Sequence, residues 1–203
     1  MFTESKSYAG GEKTILNIFT GSVNEDKKED NVNQLILNCS KSKESLSVLY
    51  TMFKKNVFAI AFTITSDYHL SEDCVIETFV RLSQVKKFNP ENGDGKGYIY
   101  TIARNVALEL RRQHRRDTDN FIIQSYGETD IAVENSIYIN QLMMFLNDKQ
   151  KQVVALRCFS ELSFRQIAKI MKCPESTVKS RYEKAIAILR EKAGVHDERR
   201  NKK

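Results

Sequence analysis

Two helical patterns of apolar residues, separated by a break of three or four residues, occupy Glu161–Lys192, ELSFRQIAKIMKCPESTVKSRYEKAIAILREK. The first opens at Ser163, with Gln166 three residues on. At that spacing a hydroxyl takes the orphan N–H of the third helical residue while the amide reaches back to the cap. Ile167, Ala168 and Met171 give its apolar face. Lys172-Cys173-Pro174 interrupts, and proline suits a first helical position, where the missing N–H has no partner to lose. The second pattern sets Val178, Tyr182, Ala185, Ile186 and Leu189 at i, i+4, i+7, i+8 and i+11. Lys179, Ser180, Glu183 and Lys184 fall on the opposite face, and Gly194 suits a left-handed stop.

Two short helices about a tight turn, the second amphipathic with a basic outer face, describe a helix-turn-helix. The apolar stripe anchors the second helix, and its outer face offers donors to base edges and phosphates in a major groove. An ordinary helical hairpin with a solvated charged face carries the same pattern.

Charge is segregated along the 203 residues. Lys and Arg outnumber Asp and Glu 12 to 8 over 42–116 and 15 to 7 over 141–203, whereas 117–140 holds five acids and no base. Two basic blocks thus flank an acidic spacer, and a polyanion such as nucleic acid fits both. No run of 18 apolar residues and no secretory apolar core occurs, so no membrane insertion and a cytoplasmic location are expected. Cys39, Cys74, Cys158 and Cys173 lack the close spacing of metal ligands and read as buried free thiols. His69, His114 and His196 are scattered, and no glycine-rich phosphate loop follows a strand. Neither a cofactor, a metal nor a catalytic step is expected.

The remaining segments read as helices and connectors. Residues 1–30 are polar and read as a flexible leader, with a short docked helix at Ile15, Leu16, Ile18 and Phe19 as the other reading. Val32, Leu35 and Ile36 begin the helical signal. Leu46, Leu49, Tyr50, Phe53, Val57, Ile60, Ala61 and Ile64 then keep one stripe for about five turns. Thr65-Ser66-Asp67 ends it and caps the next helix, which carries Val75, Phe79 and Leu82, with Glu72 and Asp73 in its first turn. After a loop at 86–95, a fourth helix turns Ile99, Ile102, Ala103, Val106 and Leu110 inward and Tyr100, Thr101, Arg104, Asn105 and Arg111 outward. The loop and this helix mix aromatics (Phe88, Tyr98, Tyr100), amides (Asn89, Asn92, Asn105) and cations (Lys86, Lys87, Lys96, Arg104). Rings to stack unpaired bases, amides to read their edges and charge along the phosphates make up a single-strand platform. Residues 117–133 read as an acidic linker. Periodicity resumes with Ile139, Leu142 and Leu146, and Asp148 caps a helix holding Val153, Val154 and Leu156. The fold class is all-α: two small helical domains joined by the linker.

These residues together resemble an extracytoplasmic-function sigma factor, a compact member of the sigma-70 family. SEDCVIETFVRL at 71–82 is similar to the family's core-binding helix, and FNPENGDGKGYIYTIARNVALELRR at 88–112 to its promoter-melting segment. LNDKQKQVVALRCFSELSFRQIAKIMKCPESTVKSR at 146–181 resembles its region-four helix-turn-helix. The resemblance implies a flexible leader at 1–30, a region-two bundle at 31–116, a linker at 117–133, a region-four domain at 134–193 and a basic tail at 194–203. It implies core RNA polymerase and promoter DNA as partners, and it admits an anti-sigma factor. Polymerase binding would fall to Glu72, Asp73, Ile76, Glu77, Val80 and Arg81, against the clamp of the largest subunit, with region four on the flap of the second largest. A minus-35 element would be read by Arg165, Ser176, Thr177, Lys179, Ser180, Arg181, Glu183 and Lys184. The platform residues would capture flipped minus-10 bases. Ile76 stands where a glutamine is usual, Ser83 and Tyr98 where tryptophans are common, and Lys172 where the turn usually has glycine. A self-sufficient helix-turn-helix regulator with a dimerisation or sensing domain in front is the competing reading.

Overall fold

The computed structural model describes residues 29–85, 88–90, 94–117 and 141–194. The leader before Glu29, Lys86, Lys87 and Asn92 of the loop, the linker from 118, the second domain up to 140 and the tail beyond 194 lie outside the described residues. No strand occurs among those described.

The first bundle comprises α1 (Glu29–Asn38), α2 (Lys43–Thr65), α3 (Tyr68–Ser83) and α4 (Gly95–Asp117). Its spine is α2, which packs on the other three. The helix starts where the Ser42 side chain accepts from the Ser45 N–H at 3.1 Å. It buries Leu49, Phe53, Val57, Ile60, Ala61 and Ile64, each of these except the small Ala61 stabilising the fold by about 1.5–3 kcal/mol. Tyr50, expected in the same stripe, is partly exposed and lays its ring against Phe79. Ser66 ends α2 in the left-handed region (φ 56), and Asp67 at once caps α3 by accepting from the Leu70 N–H at 2.8 Å. Because α3 begins at Tyr68, Glu72 and Asp73 sit past its first turn, where little of the helix dipole is felt.

No disulfide joins the four cysteines; Cys39, Cys74 and Cys158 are buried as expected, whereas Cys173, expected to be buried, is only half-buried just before Pro174. Cys39 Sγ donates to the carbonyls of Ile36 and Leu82, tying α1 to the end of α3. Burial pushes the Cys74 thiol up to about 11.

In the second bundle a helical turn at 141–144 precedes α5 (Asp148–Cys158), α6 (Phe164–Met171) and α7 (Glu175–Lys192). Asn147, one residue before the expected Asp148, caps α5. Its side chain accepts from the Lys149 and Gln150 N–H groups while Gln150 accepts from the Asn147 N–H. Pro174 is the N-cap of α7 rather than its first helical residue, which is Glu175. Its extended ψ of 147 places it just outside the helix.

The two bundles are in contact. α5 packs on α6 and α7 and also on α2, and α4 reaches α6. As a result α5 buries Gln150, Gln152, Val153, Val154, Ala155, Leu156 and Cys158, positions that run right round the helix.

One glycine fixes how closely α4 approaches α1. Gly95 donates its N–H to Asn33 Oδ1 at 2.7 Å. A Cβ there would lie 2.6 Å from Ile36 Cδ1 and 3.0 Å from Val32 Cγ1. Gly95→Ala should therefore destabilise the chain by about 1–3 kcal/mol through overpacking, as measured by chemical denaturation. Unchanged stability would show that α1 yields freely.

Candidate nucleic-acid interface

The helix-turn-helix is built as its sequence dictates. Ser163 Oγ accepts from the Gln166 N–H and Gln166 Oε1 accepts from the Ser163 N–H at 2.7 Å, completing the capping box of α6. Lys172 closes α6 in the left-handed region (φ 51), and the next N–H, on Cys173, bonds back to the Ala168 carbonyl at 3.1 Å. Val178, Tyr182, Ala185, Ile186 and Leu189 are all buried. The tilted Phe164–Tyr182 ring pair, with the Arg157 guanidinium over Phe164, holds the corner against α5.

That anchorage turns the other face of α7 outward. Ser176, Lys179, Ser180, Glu183 and Lys184 are exposed, as is Arg165 on α6, while Thr177 is half-buried. Lys179 pairs with Glu175 at 2.9 Å, one turn back. Arg181 is also half-buried and donates to Cys173 Sγ at 3.6 Å, so it braces the turn.

The residues expected to hold single-stranded DNA divide three ways. Asn89 and Asn105 are exposed and Lys96 is half-buried. Phe88 and Tyr98 face each other with centroids 5.1 Å apart, half-buried on the core, and burial raises the Tyr98 phenol. Tyr100 does not belong with them. It is 0% exposed, edge-on to Phe53, with its hydroxyl accepting from Asn56 Nδ2 at 3.3 Å. α4 is packed on both α2 and α3 and so buries a wide arc that takes in Tyr100 and Ala107, leaving Ile102 only partly covered. A ring in that position cannot stack on a base without opening the core.

Arg104 is held too. Its Nε donates to Gln152 Oε1 of α5 at 2.8 Å, and burial pulls its guanidinium down from its ordinary value. Two more polar ties cross from the first bundle to the second. Arg111 Nη2 meets Asp148 Oδ2 at 2.9 Å, and Gln166 Nε2 donates to Asp94 Oδ2 at 2.5 Å. Sequence alone assigns no role to Gln152 or Asp94, and it offers Asp148 only as a cap and Gln166 only as part of a capping box. The available signal was α5 itself, whose KQKQVVALR has no single apolar stripe for a one-sided helix.

On α3, Glu72, Asp73, Ile76 and Val80 are exposed, the two aliphatics at 60% and 42%. Arg81 lies half-buried beside them, bonded to Glu77 and to Glu109 of α4 at 2.7 Å each, and these carboxylates raise its pKa. A cleft of about 410 Å3 between α3 and α4 is lined by Asp73, Ile76, Glu77, Arg81, Val106 and Glu109. Aliphatics standing in water between carboxylates, over such a cleft, suit a partner that covers them.

Comparison with known proteins agrees with this layout. Residues 49–117 match the family described as Sigma-70 region 2, and residues 142–191 match Sigma-70, region 4. The ECF RNA polymerase sigma factor SigM of Bacillus subtilis (strain 168) is 24% identical over 163 residues, covering 76% of this chain and 99% of SigM. SigW of the same organism is 24% identical over 166 residues, covering 73% and 88% of the two chains. Two solved structures share the fold. The sigma factor RpoE from Bartonella quintana, in complex with the anti-sigma factor NepR, superposes with a TM-score of 0.61 at 23% identity, over 74% of this chain and 98% of that one. CnrH, in complex with the cytosolic domain of CnrY, gives 0.62 at 16% identity, over 81% and 98%.

The left-handed Lys172 and the buried Tyr100 each have a measurable consequence. Lys172→Gly should raise stability by about 0.5–1 kcal/mol, because a Cβ is disfavoured there and glycine is not. A loss in thermal denaturation would show that the lysine side chain outweighs the backbone strain. Tyr100→Ala should cost about 3–5 kcal/mol as a core truncation. Wild-type stability combined with impaired strand binding would return Tyr100 to the platform.

Proposed function

The chain belongs to the extracytoplasmic-function group of the sigma-70 family, and we propose that its two halves divide promoter DNA between duplex and opened strand. It binds core RNA polymerase and directs promoter recognition and DNA melting at transcription initiation. In our reading residues 134–193 form the duplex-reading half, 31–116 the melting half, and 117–133 the linker, with a leader and a basic tail at the two ends.

The observation that carries the assignment is α7: a fully buried stripe on one side, and Lys179, Ser180, Glu183 and Lys184 presented on the other. Set in a major groove, Lys179 and Lys184 suit guanine edges or phosphates, and Glu183 can accept from a cytosine amino group. Ser176, Thr177 and Arg165 would contact phosphates at the helix entry. Arg181 contributes first by holding the turn. On the melting half, Phe88, Tyr98, Asn89, Lys96, Asn105 and Arg104 remain the proposed strand contacts, with Lys86, Lys87 and Asn92 in the same loop. Stacking at about 1–3 kcal/mol per base repays the unpairing. The exposed α3 face with Glu72, Asp73, Ile76, Glu77, Val80 and Arg81 is the proposed polymerase surface, and region four would dock on the flap.

The proposed protein acts in the cytoplasm, has no catalytic step of its own and needs no cofactor. No described helix is long and apolar enough to cross a membrane. RpoE was solved with the anti-sigma factor NepR and CnrH with the cytosolic domain of CnrY, and we extend to this chain an anti-sigma partner of its own. A stand-alone regulator with a sensing front domain is not favoured, since residues 49–117 match region 2 itself.

Run-off transcription with purified core polymerase, with and without this chain, tests the assignment; no chain-dependent initiation at any promoter of a genomic library would sink it. Within it, Lys184→Ala should weaken promoter binding by about 1–3 kcal/mol and relax preference at one position. Equal loss on every sequence would make Lys184 a phosphate contact.

A further inference from the structure

The proposed function leaves the apolar cluster of the leader without a role. A groove beside the end of α1 has the chemistry to take it. The groove holds about 810 Å3 between the end of α1, the start of α4 and α6. Ile36, Val85, Phe88 and Tyr98 line it on the first bundle, and Ile170 lines it from α6. Leu37 is part of the same wall and, for a large aliphatic, stands unusually open at 40% exposure. Lys41 and Lys169 also line it; both are exposed, and neither meets a carboxylate among the described residues. Asp94, the acid on this lining, has its two oxygens engaged by the Gly97 N–H and the Gln166 amide. An apolar wall edged by unpaired cations suits an apolar segment that carries an acid.

The leader supplies such a segment. Ile15, Leu16, Ile18 and Phe19 stand at i, i+1, i+3 and i+4, the spacing by which a helical peptide anchors in a groove. At helical spacing Glu12 shares their side and Lys13 falls on the opposite one. The tether is long enough. Position 19 lies ten residues before Glu29, where α1 starts, and ten extended residues reach about 33 Å. Leu37 is eight residues along α1, about 12 Å from that start. A flexible tether of this length holds the cluster at an effective concentration on the order of millimolar, so even weak docking is populated.

We propose that residues 15–19 dock in this groove of their own chain, with the four apolar side chains over Leu37 and the Phe88–Tyr98 ring pair and Glu12 toward the two lysines. A docked leader covers Phe88, Asn89 and Tyr98, three of the proposed strand contacts, so leader and opened strand exclude one another. The exclusion rests on the melting role proposed above; the docking does not.

Two arms test this on the full-length chain. In the first, photo-reactive benzoylphenylalanine replaces Phe19, and its cross-links are mapped by mass spectrometry. They should fall within one chain, on the peptides that carry Leu37, Phe88 and Tyr98, and should be lost on adding Ile15→Ser with Leu16→Ser. In the second, the same pair of serines is placed in the otherwise unaltered chain, and binding of a fluorescent single-stranded oligonucleotide is measured. The serine variant should bind about 5- to 10-fold tighter than the parent, as a groove occupied in about 80–90% of molecules requires. Both serines lie outside the two bundles and leave net charge unchanged, so neither the folding of the bundles nor non-specific attraction to phosphate accounts for such a gain.

Cross-links scattered over both bundles, or unchanged by the serines, overturn the docking. Cross-links that run only between chains overturn it too, and make the occupant the leader of a second copy. Tighter strand binding by the serine variant without cross-links in the groove likewise overturns it. Groove cross-links with unaltered strand affinity uphold the docking and strike Phe88, Asn89 and Tyr98 from the strand surface. Groove cross-links with no strand binding by any form uphold the docking and sink the melting role.

Discussion

A helix packed on two sides beyond its exposed first turn sets the terms for the rest of the molecule. α5 is covered by α6 and α7 on one side and by the first bundle on the other. Buried polar atoms must find partners, because each one left unmade costs about 1–3 kcal/mol. Gln150 spends its acceptor on the Asn147 cap, and Gln152 spends its own on Arg104. The aliphatics Val153, Val154 and Leu156 supply cohesion to the second bundle. α5 thus holds one domain together while only leaning on the other.

The same division explains what the sequence disclosed. Where a helix has one apolar face and a side-chain cap, its residues announce it: the α2 stripe apart from Tyr50, the Asp67 cap and the Ser163–Gln166 box stand where their spacing puts them. Two helices broke that rule. α4 lies between α2 and α3 and also meets α1 and α6, so Tyr100, one residue off the obvious Ile99–Ala103–Val106 seam, went inward. Its hydroxyl disguised it as a surface residue, and Asn56 satisfies that hydroxyl inside. α5 is covered on both sides and shows no clear period, so nothing local marks Gln150 and Gln152 as buried. Long-range pairing such as Arg104 with Gln152, 48 positions apart, leaves no local trace.

The turn of the helix-turn-helix shows a local rule broken in plain view. Lys172 occupies a left-handed position that costs an ordinary residue about 1–2 kcal/mol. The turn survives because its surroundings over-determine it. The Cys173 N–H bonds back to Ala168, Pro174 fixes the entry to α7, and Arg181 reaches back to Cys173. A lysine there also adds a cation at the edge of the proposed duplex-reading face, which glycine would not. The backbone strain and the added charge pull in opposite directions, and only the second bears on DNA.

Exposure on α3 completes the picture from the other side. Ile76 and Val80 stand in water one turn apart, yet Arg81 beside them is pinned by two carboxylates from different helices. Fixing that guanidinium in the free chain removes side-chain entropy that a partner would otherwise have to remove on binding. The proposed polymerase surface is therefore pre-shaped, whereas Arg104 of the proposed strand surface is already bonded to Gln152.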